Sequence, residues 1–443
     1  MTDDEADLLD PFRQFLSFEG DVLVLSLAMF AFSLGFQMTN RYLPEYMAEL
    51  GASAFVIGLF GTLGNFVGAV YPYPGGRLSD RIGSRVALTA FGLCSSLGFL
   101  VWLVAPNLGT VVVAGVTLEP WVWIFVGLFL AQAWKSFGLG ATFAIVKQSV
   151  SSEQLARGFA STEVFRRTAF LLGPLLAAGV LHSAGPFVGG FQYILAVAFA
   201  FGIVATALQH RLYDAEADTI GSTFEGVSTL VADVRNLPPE LRSLLVGDTL
   251  VRFANGMVYV FFVIVVVRFL EVGLSLGPFD LSPAVFFGVL LAIEMVVALV
   301  SMPPAARAAE AVGLKPIVAL GFAVYAVFPV LLINAPANAT VVTLLFAFSG
   351  LRFAGLPAHK ALIVGPAERA AGGRVTGVYY LVRNTVVIPS AAVGGAIYGG
   401  FSIETVGVTT TGSPTLAFSI ASVVGLVGTG YFLVFGEEFE AYQ

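Results

Sequence analysis

Charge is what this chain has least of: Asp, Glu, Lys and Arg make up only 12% of its 443 residues, while 57% are hydrophobic. Soluble domains carry about 25% charged residues. With a mean hydropathy of +0.87 the chain cannot hide its apolar surface in one core, so lipid is the expected solvent. Cysteine is nearly absent. Cys94 alone excludes a disulfide framework and a cysteine metal cluster, and is expected to pack within a span. The three histidines, His182, His210 and His359, are expected to be structural. Lysine is down to four residues against eighteen arginines with no basic patch, which argues against a nucleic-acid partner. No glycine-rich loop ending in Lys-Ser or Lys-Thr is present, so ATP is not an expected fuel. With no hydrolase triad or zinc spacing either, neither an enzyme nor a cofactor is expected.

What the chain has instead is a series of long apolar stretches. They fall near 20–40, 54–73, 86–106, 119–146, 158–181, 188–209, 243–267, 283–302, 316–333, 340–363, 375–399 and 414–435. Each suits about 30 Å of hydrocarbon at ~20 residues per helix. Arg13, Arg77, Arg81, Arg85, Lys147, Arg157, Arg211, Arg235, Arg242, Arg307, Lys315, Arg369 and Arg374 fall on one side of these spans, and only Arg41 and Arg268 on the other. That bias places both termini in the cytoplasm of a multi-pass plasma-membrane protein. The acidic tail, residues 1–19, lacks the basic region of a cleaved signal peptide, so the first span is expected to be kept.

The chain also repeats itself. Gly76-Arg77-Leu78-Ser79-Asp80-Arg81-Ile82-Gly83-Ser84-Arg85 returns, degraded, in the second half, where Pro304, Arg307, Glu310, Gly313 and Lys315 match Pro74, Arg77, Asp80, Gly83 and Arg85 in register. A second register aligns Lys135 with Arg352, Gly138 with Gly355, Arg157 with Arg374 and Arg166 with Arg383. Parallel repeats of this kind place a ligand site between the halves. The expected fold is therefore all-α, twelve transmembrane helices in two pseudo-symmetric six-helix bundles. The halves are residues 20–210 and 243–436, joined by 211–242 and followed by a tail at 437–443. In the join, Phe224, Val227, Leu230, Val231 and Val234 recur at helical spacing, and Ser222 with Glu225 resembles a capping box. A short amphipathic helix on the membrane surface is expected there.

The loop Gly76–Arg85 resembles the signature between helices two and three of the major facilitator superfamily, with Ser84 departing from the usual basic residue. The resemblance implies a secondary transporter whose inner gate uses Gly76, Asp80, Arg81, Gly83 and Arg85, with Glu310 in the second copy. Intramembrane Arg166 and Arg383, which are repeat mates, would add to that gate. The element around Lys135, Gly138 and Gly140 resembles one found in proton-coupled members, with Lys where Arg is usual. Gly173-Pro174, followed by Ala177, Ala178 and Gly179, partly resembles an exporter element. In this family the first, fourth, seventh and tenth spans line the cavity, so Lys135 and Arg352 would face each other there, with Trp134 and Phe137 as further substrate contacts.

Charges inside a membrane are expensive and mark function or pairing. Glu294 has no basic neighbour at helical spacing and reads as a lone carboxyl able to carry a proton, with Asp248 and Glu163 as alternatives, or else as a partner for Arg252 or Arg352 from another helix. Asp248 and Arg252, and Glu163 and Arg167, are spaced to pair along one helix. Two substrate readings stand. The exporter element favours proton-coupled export of a lipophilic small molecule, the reading preferred on sequence. The excess of Lys135, Arg166, Arg167, Arg252, Arg352, Lys360 and Arg383 over Glu163, Asp248 and Glu294 favours small organic anions. A receptor or membrane enzyme on this fold is a remote third. The expected partners are a small-molecule substrate and the bilayer, and the expected unit a monomer.

Overall fold

The computed structural model describes residues 20–71, 78, 81–113, 116–134, 155–212, 238–277, 279–364, 372–403 and 408–438. Gly76, Asp80, Lys135 and Phe137, the 1–19 tail and most of the 211–242 join lie outside the described residues. So do the side chains of Glu163 and Arg166 on the helix Leu155–Ala184.

In chain order the helices are α1 (Gly20–Thr39), α2 (Leu43–Glu49), α3 (Ala54–Val70), α4 (Ser84–Leu108), α5 (Val122–Ala133), α6 (Leu155–Ala184), α7 (Phe187–Leu212) and α8 (Glu240–Val258). They continue with α9 (Pro283–Val312), α10 (Leu314–Ile333), α11 (Ala339–Gly350), α12 (Leu356–Val364), α13 (Gly372–Val387), α14 (Ser390–Gly399) and α15 (Pro414–Phe435). Among the described residues eight helical runs are long and apolar enough to cross a membrane, and four shorter apolar helices accompany them. Large aliphatic side chains stand open on the outside of the helices, Val300 at 69%, Leu344 at 64% and Val434 at 71% exposure. Such faces are stable against lipid and not against water.

Three expectations change. The fold is not purely helical, because antiparallel hairpins Val111–Val113 with Val116–Leu118, Leu274–Leu276 with Phe279–Leu281, and Gly400–Ile403 with Val408–Thr411 occupy expected loops. The first and third have runs of Val and Thr, whose branched side chains suit extended backbone. Second, the degraded copy of the charged loop is not a loop: α9 runs through Pro303, Pro304, Arg307 and Glu310 to Val312, carried by its alanines. Third, three expected spans change helical type along their length while each remains one apolar run. A 3-10 turn, Tyr259–Phe261, follows α8, another, Leu351–Phe353, separates α11 from α12, and Pro389 caps α14 where α13 ends.

The repeat itself is visible in the backbone. Gly83 has φ +82° and ψ 150° before α4, and its repeat mate Gly313 has φ +92° and ψ 165° before α10. That region is essentially closed to residues with a Cβ, so both copies need glycine to turn the chain. Past Gly313, the Glu438 carboxylate accepts the backbone N–H groups of Leu314 and Lys315 at the positive end of α10.

The chain divides into two compact units, residues 1–40 with 70–224 and residues 41–69 with 225–443. In the first, Trp102 donates to the Ile124 carbonyl at 2.8 Å and packs against Phe99. In the second, α3 lies against α14 at near-contact distance. A Cβ on Gly58 would come within 2.4 Å of the Ala391 carbonyl oxygen, and one on Gly395 within 2.8 Å of that of Ala54. Glycine on both sides lets two backbones touch.

Candidate functional site

Along α8, Asp248, Arg252, Asn255 and Tyr259 recur three or four residues apart and share one face. Asp248 is fully buried and anchors the group. Its oxygens accept from Arg252 Nε at 3.2 Å, Arg383 Nη1 at 3.0 Å and Tyr379 Oη at 3.1 Å, and His359 Nε2 stands 3.3 Å away. The pair expected from the Asp248–Arg252 spacing therefore forms, and α12 and α13 add three further groups. Arg383 also donates to Asn384 Oδ1 and lies over the Tyr380 ring.

The second carboxylate is Glu294 on α9. It is not a lone carboxyl: Arg352 Nη2 lies at 2.9 Å, Arg41 Nη2 at 3.5 Å, and the Ser349 hydroxyl donates to it. Sequence spacing along one helix cannot show partners that arrive from other helices. Arg352 is itself 3% exposed and packed over Tyr325 and Phe353, so it faces Glu294 inside the protein. Close approach makes this possible, since a Cβ on Gly350 would sit 2.5 Å from the Glu294 carbonyl. Tyr325 links the two clusters. Its hydroxyl accepts from Arg252 Nη1 at 2.9 Å while Arg352 lies 5.1 Å from its ring centroid. A continuous polar chain thus runs Arg383, Asp248, Arg252, Tyr325, Arg352, Glu294, Arg41.

Four guanidinium groups share two carboxylates along that chain. Two of them, Arg252 and Arg383, reach a cavity of ≈ 240 Å³ lined also by Asn65, Asn255, Asn384 and Tyr259. Arg252 and Arg383 are 23% and 16% exposed there, whereas Asp248 beneath them is sealed. A site with two cations, one buried counter-charge and three carboxamides can attract and orient an anion.

Away from the cavity Arg268 bridges two carboxylates of α2, donating from Nε to both oxygens of Glu45 at 2.8 and 2.9 Å and from Nη2 to Glu49 at 2.7 Å. Nearby Arg41 lies 4.1 Å over the Tyr259 ring and the Tyr42 hydroxyl donates to the Ala284 carbonyl. Together they form a latch holding residues 41–49 against the second-half helices. Breaking it with Arg268→Gln should raise alkylation of a cysteine at position 54 (Ala54→Cys, in Cys94→Ser) by about 5-fold. An unchanged rate would remove the latch role. Burial pushes the Glu45 carboxyl above its usual range, against the pull of Arg268. Arg268 grips the ionised form, so the latch is complete above that raised value and loosens as pH falls through it. The ratio of alkylation rates between Arg268→Gln and its parent at each pH, in which the thiolate fraction cancels, should then fall towards one. For the fold the sign is opposite: the neutral carboxyl is cheaper to bury, a contribution present at low pH and lost as pH rises through the raised value.

Other sequence candidates are placed as follows. Trp134 is buried, stacked on Phe32 at 4.4 Å, with its backbone N–H on Ser95 Oγ. Arg85 donates to the His210 carbonyl at 2.7 Å, tying α4 to the end of α7. Arg81 is exposed, and Glu310 is exposed on α9. Arg41, Arg268, His359 and the three asparagines were not singled out as site residues by the sequence, although the polar stripe on α8 is a signal that points to Asn255 and Tyr259.

Comparison with known proteins agrees with this architecture. A stretch of 207 residues is 29% identical to an uncharacterized MFS-type transporter of Mycobacterium tuberculosis, covering 46% of this chain and 45% of that one. The chain therefore matches under half the length of that relative. Among solved structures, the nucleoside transporter NupG superposes with a TM-score of 0.72 at 13% identity over 94% of this chain and 100% of that one. A POT family transporter in complex with 5-aminolevulinic acid gives 0.69 at 13%, over 95% and 99%. At these identities the likeness speaks for the fold alone. The family model of the Major Facilitator Superfamily matches residues 25–286, more than half of the sequence. This chain, a multi-pass membrane protein, belongs to the major facilitator superfamily.

Proposed function

We propose that the chain is a secondary active transporter that carries a small organic anion by alternating access, with Arg252 and Arg383 binding the anion and Asp248 carrying the coupled proton. The observation that carries this reading is the cavity wall, where two guanidinium groups share a single buried carboxylate. An intramembrane cation left without a counter-charge costs at least about 2.5–3.5 kcal/mol on insertion scales. A substrate carboxylate offsets that cost. As it draws a guanidinium away, Asp248 loses a counter-charge and takes up a proton, so anion and proton move together. Glu294, enclosed by Arg352 and Arg41, is the weaker candidate for coupling.

Eight long and four shorter apolar helices, with paired glycines Gly83 and Gly313, support twelve spans in two six-helix halves. The charge bias of the loops supports cytoplasmic termini in a plasma membrane, with the Arg268 latch on the outer side. The export reading has one observation of its own: Gly173 in the exporter element rests on Gln37, where a Cβ would lie 2.5 Å from Gln37 Cβ. That contact is a packing joint, and two arginines and three asparagines, on a wall otherwise formed by Tyr259, Val260, Val387, Ala391 and two glycines, favour a cargo with an anionic head.

The test is a thermal-shift panel on the purified full chain in detergent with hexanoate, gluconate and tetraphenylphosphonium. Stabilisation by a carboxylate, lost in Arg383→Gln, is the expected outcome. Stabilisation by the lipophilic cation alone would overturn the anion reading.

A further inference from the structure

Resting on the anion reading, the cavity's neutral wall narrows the cargo. Every carboxylate that the described residues bring to this site is already engaged: Asp248 by Arg252, Arg383, Tyr379 and His359, and Glu294 by Arg352, Arg41 and Ser349. None lines the cavity, so an ammonium group entering beside the two arginines would meet like charge and only neutral acceptors, with no counter-charge. Beyond its cations and an apolar side formed by Val260, Val387 and Ala391, the wall offers amide chemistry. Asn65 on α3, Asn255 on α8 and Asn384 on α13 approach from three different helices, with the Tyr259 hydroxyl. Carboxamides give both donors and acceptors, the pairing that hydroxyl groups need.

Asn255 adds an observation of its own. Its Oδ1 is buried with no hydrogen-bond partner, in a side chain that lines the cavity. An enclosed acceptor without a donor is an unfavourable arrangement that a ligand O–H relieves. The χ2 torsion of asparagine is broad, so a modest rotation presents that oxygen to the cavity. Alkyl chains relieve nothing there, and an ammonium group cannot be accommodated next to Arg252.

We propose that the cargo is a hydroxylated carboxylate, a polyol acid and not a zwitterion or a plain fatty acid, with its carboxylate on Arg252 and Arg383 and its hydroxyls read by Asn255, Asn65 and Asn384. Asn255 is then the residue that determines specificity.

The experiment measures binding to the purified full chain by isothermal titration calorimetry, with four probes: gluconate, hexanoate, 6-aminohexanoate and glucose. Gluconate should bind on the order of 10-fold tighter than hexanoate, and 6-aminohexanoate and glucose weaker still. Asn255→Leu should erase the gluconate preference while leaving hexanoate affinity within about 2-fold. Should Asn255→Leu fail to fold, Asn65→Leu at the cavity's edge should reduce the preference in the same direction. Hexanoate or 6-aminohexanoate binding as tightly as gluconate would overturn this proposal while leaving the anion reading in place. Binding of no carboxylate at all would overturn both, and a preference for gluconate that survives both variants would remove the role given to the asparagines.

Discussion

Asp248→Leu is expected to lower the stability of the second unit by about 3–5 kcal/mol, the effect of leaving buried cations without their counter-charge. Arg252 and Arg383 both depend on this one carboxylate, and Tyr379 and His359 lose a partner as well. Asp248→Asn removes the same counter-charge but keeps the shape and one acceptor oxygen, so it should lose less stability than the leucine variant, and it cannot exchange a proton. Substrate counterflow across proteoliposomes should persist in Asp248→Asn while uphill transport driven by a pH gradient is lost. Wild-type gradient-driven uptake in that variant would move the proton carrier elsewhere. Unfolding of the leucine variant within 1 kcal/mol of wild type would show that the arginines are satisfied without it.

The second large effect concerns Glu294 and Arg352. Each is 2–3% exposed: removing Arg352 leaves the buried Glu294 carboxylate with Arg41 alone, at 3.5 Å, and removing Glu294 leaves Arg352 and Arg41 as like charges with no carboxylate between them. Arg352→Met alone is expected to cost about 3–5 kcal/mol, and Glu294→Gln alone a comparable amount, because in each case the remaining partner keeps its charge. The double variant should be far less damaging than the sum, with a coupling of up to ~3 kcal/mol. Additive losses in that cycle would mean the pair contributes no mutual stabilisation. If Arg352 instead binds cargo, Arg352→Met would abolish anion binding at unchanged stability, restoring it to the substrate site expected from its register with Lys135.

The helical, membrane-spanning character was legible in the sequence because composition and lipid leave few choices. Backbone polar groups in hydrocarbon must be satisfied within each segment, so long apolar runs become helices. The register of the repeat is equally legible, since Gly83 and Gly313 share a conformation that only glycine adopts readily. Local exceptions were harder to see. The degraded loop copy kept its charges but gained alanines, and in α9 local helix propensity prevails over the loop signature. The hairpins lie in expected loops, where a few β-branched residues decide the outcome.

The site was half legible. Asp248 and Arg252 declare themselves by sitting one turn apart. Glu294 misleads for the opposite reason: Arg352 and Arg41 reach it from other segments, which no helical spacing shows. Arg41 and Arg268 read as topology-setting loop charges, yet each grips a carboxylate far away in the chain. His359 reads as an interfacial histidine and is buried beside Asp248. Long-range partners of this kind emerge only when helices distant in sequence are brought together.

The measurement that bears most directly on the central claim is uptake of radiolabelled gluconate into proteoliposomes holding the full chain, with and without an imposed pH gradient. The account predicts accumulation driven by the gradient in wild type, loss of uptake in Arg383→Gln, and retained uptake in the packing control Leu433→Ala on the lipid face. Gradient-driven uptake that Arg383→Gln leaves intact, or absence of carboxylate uptake beside active transport of a lipophilic cation, would contradict it.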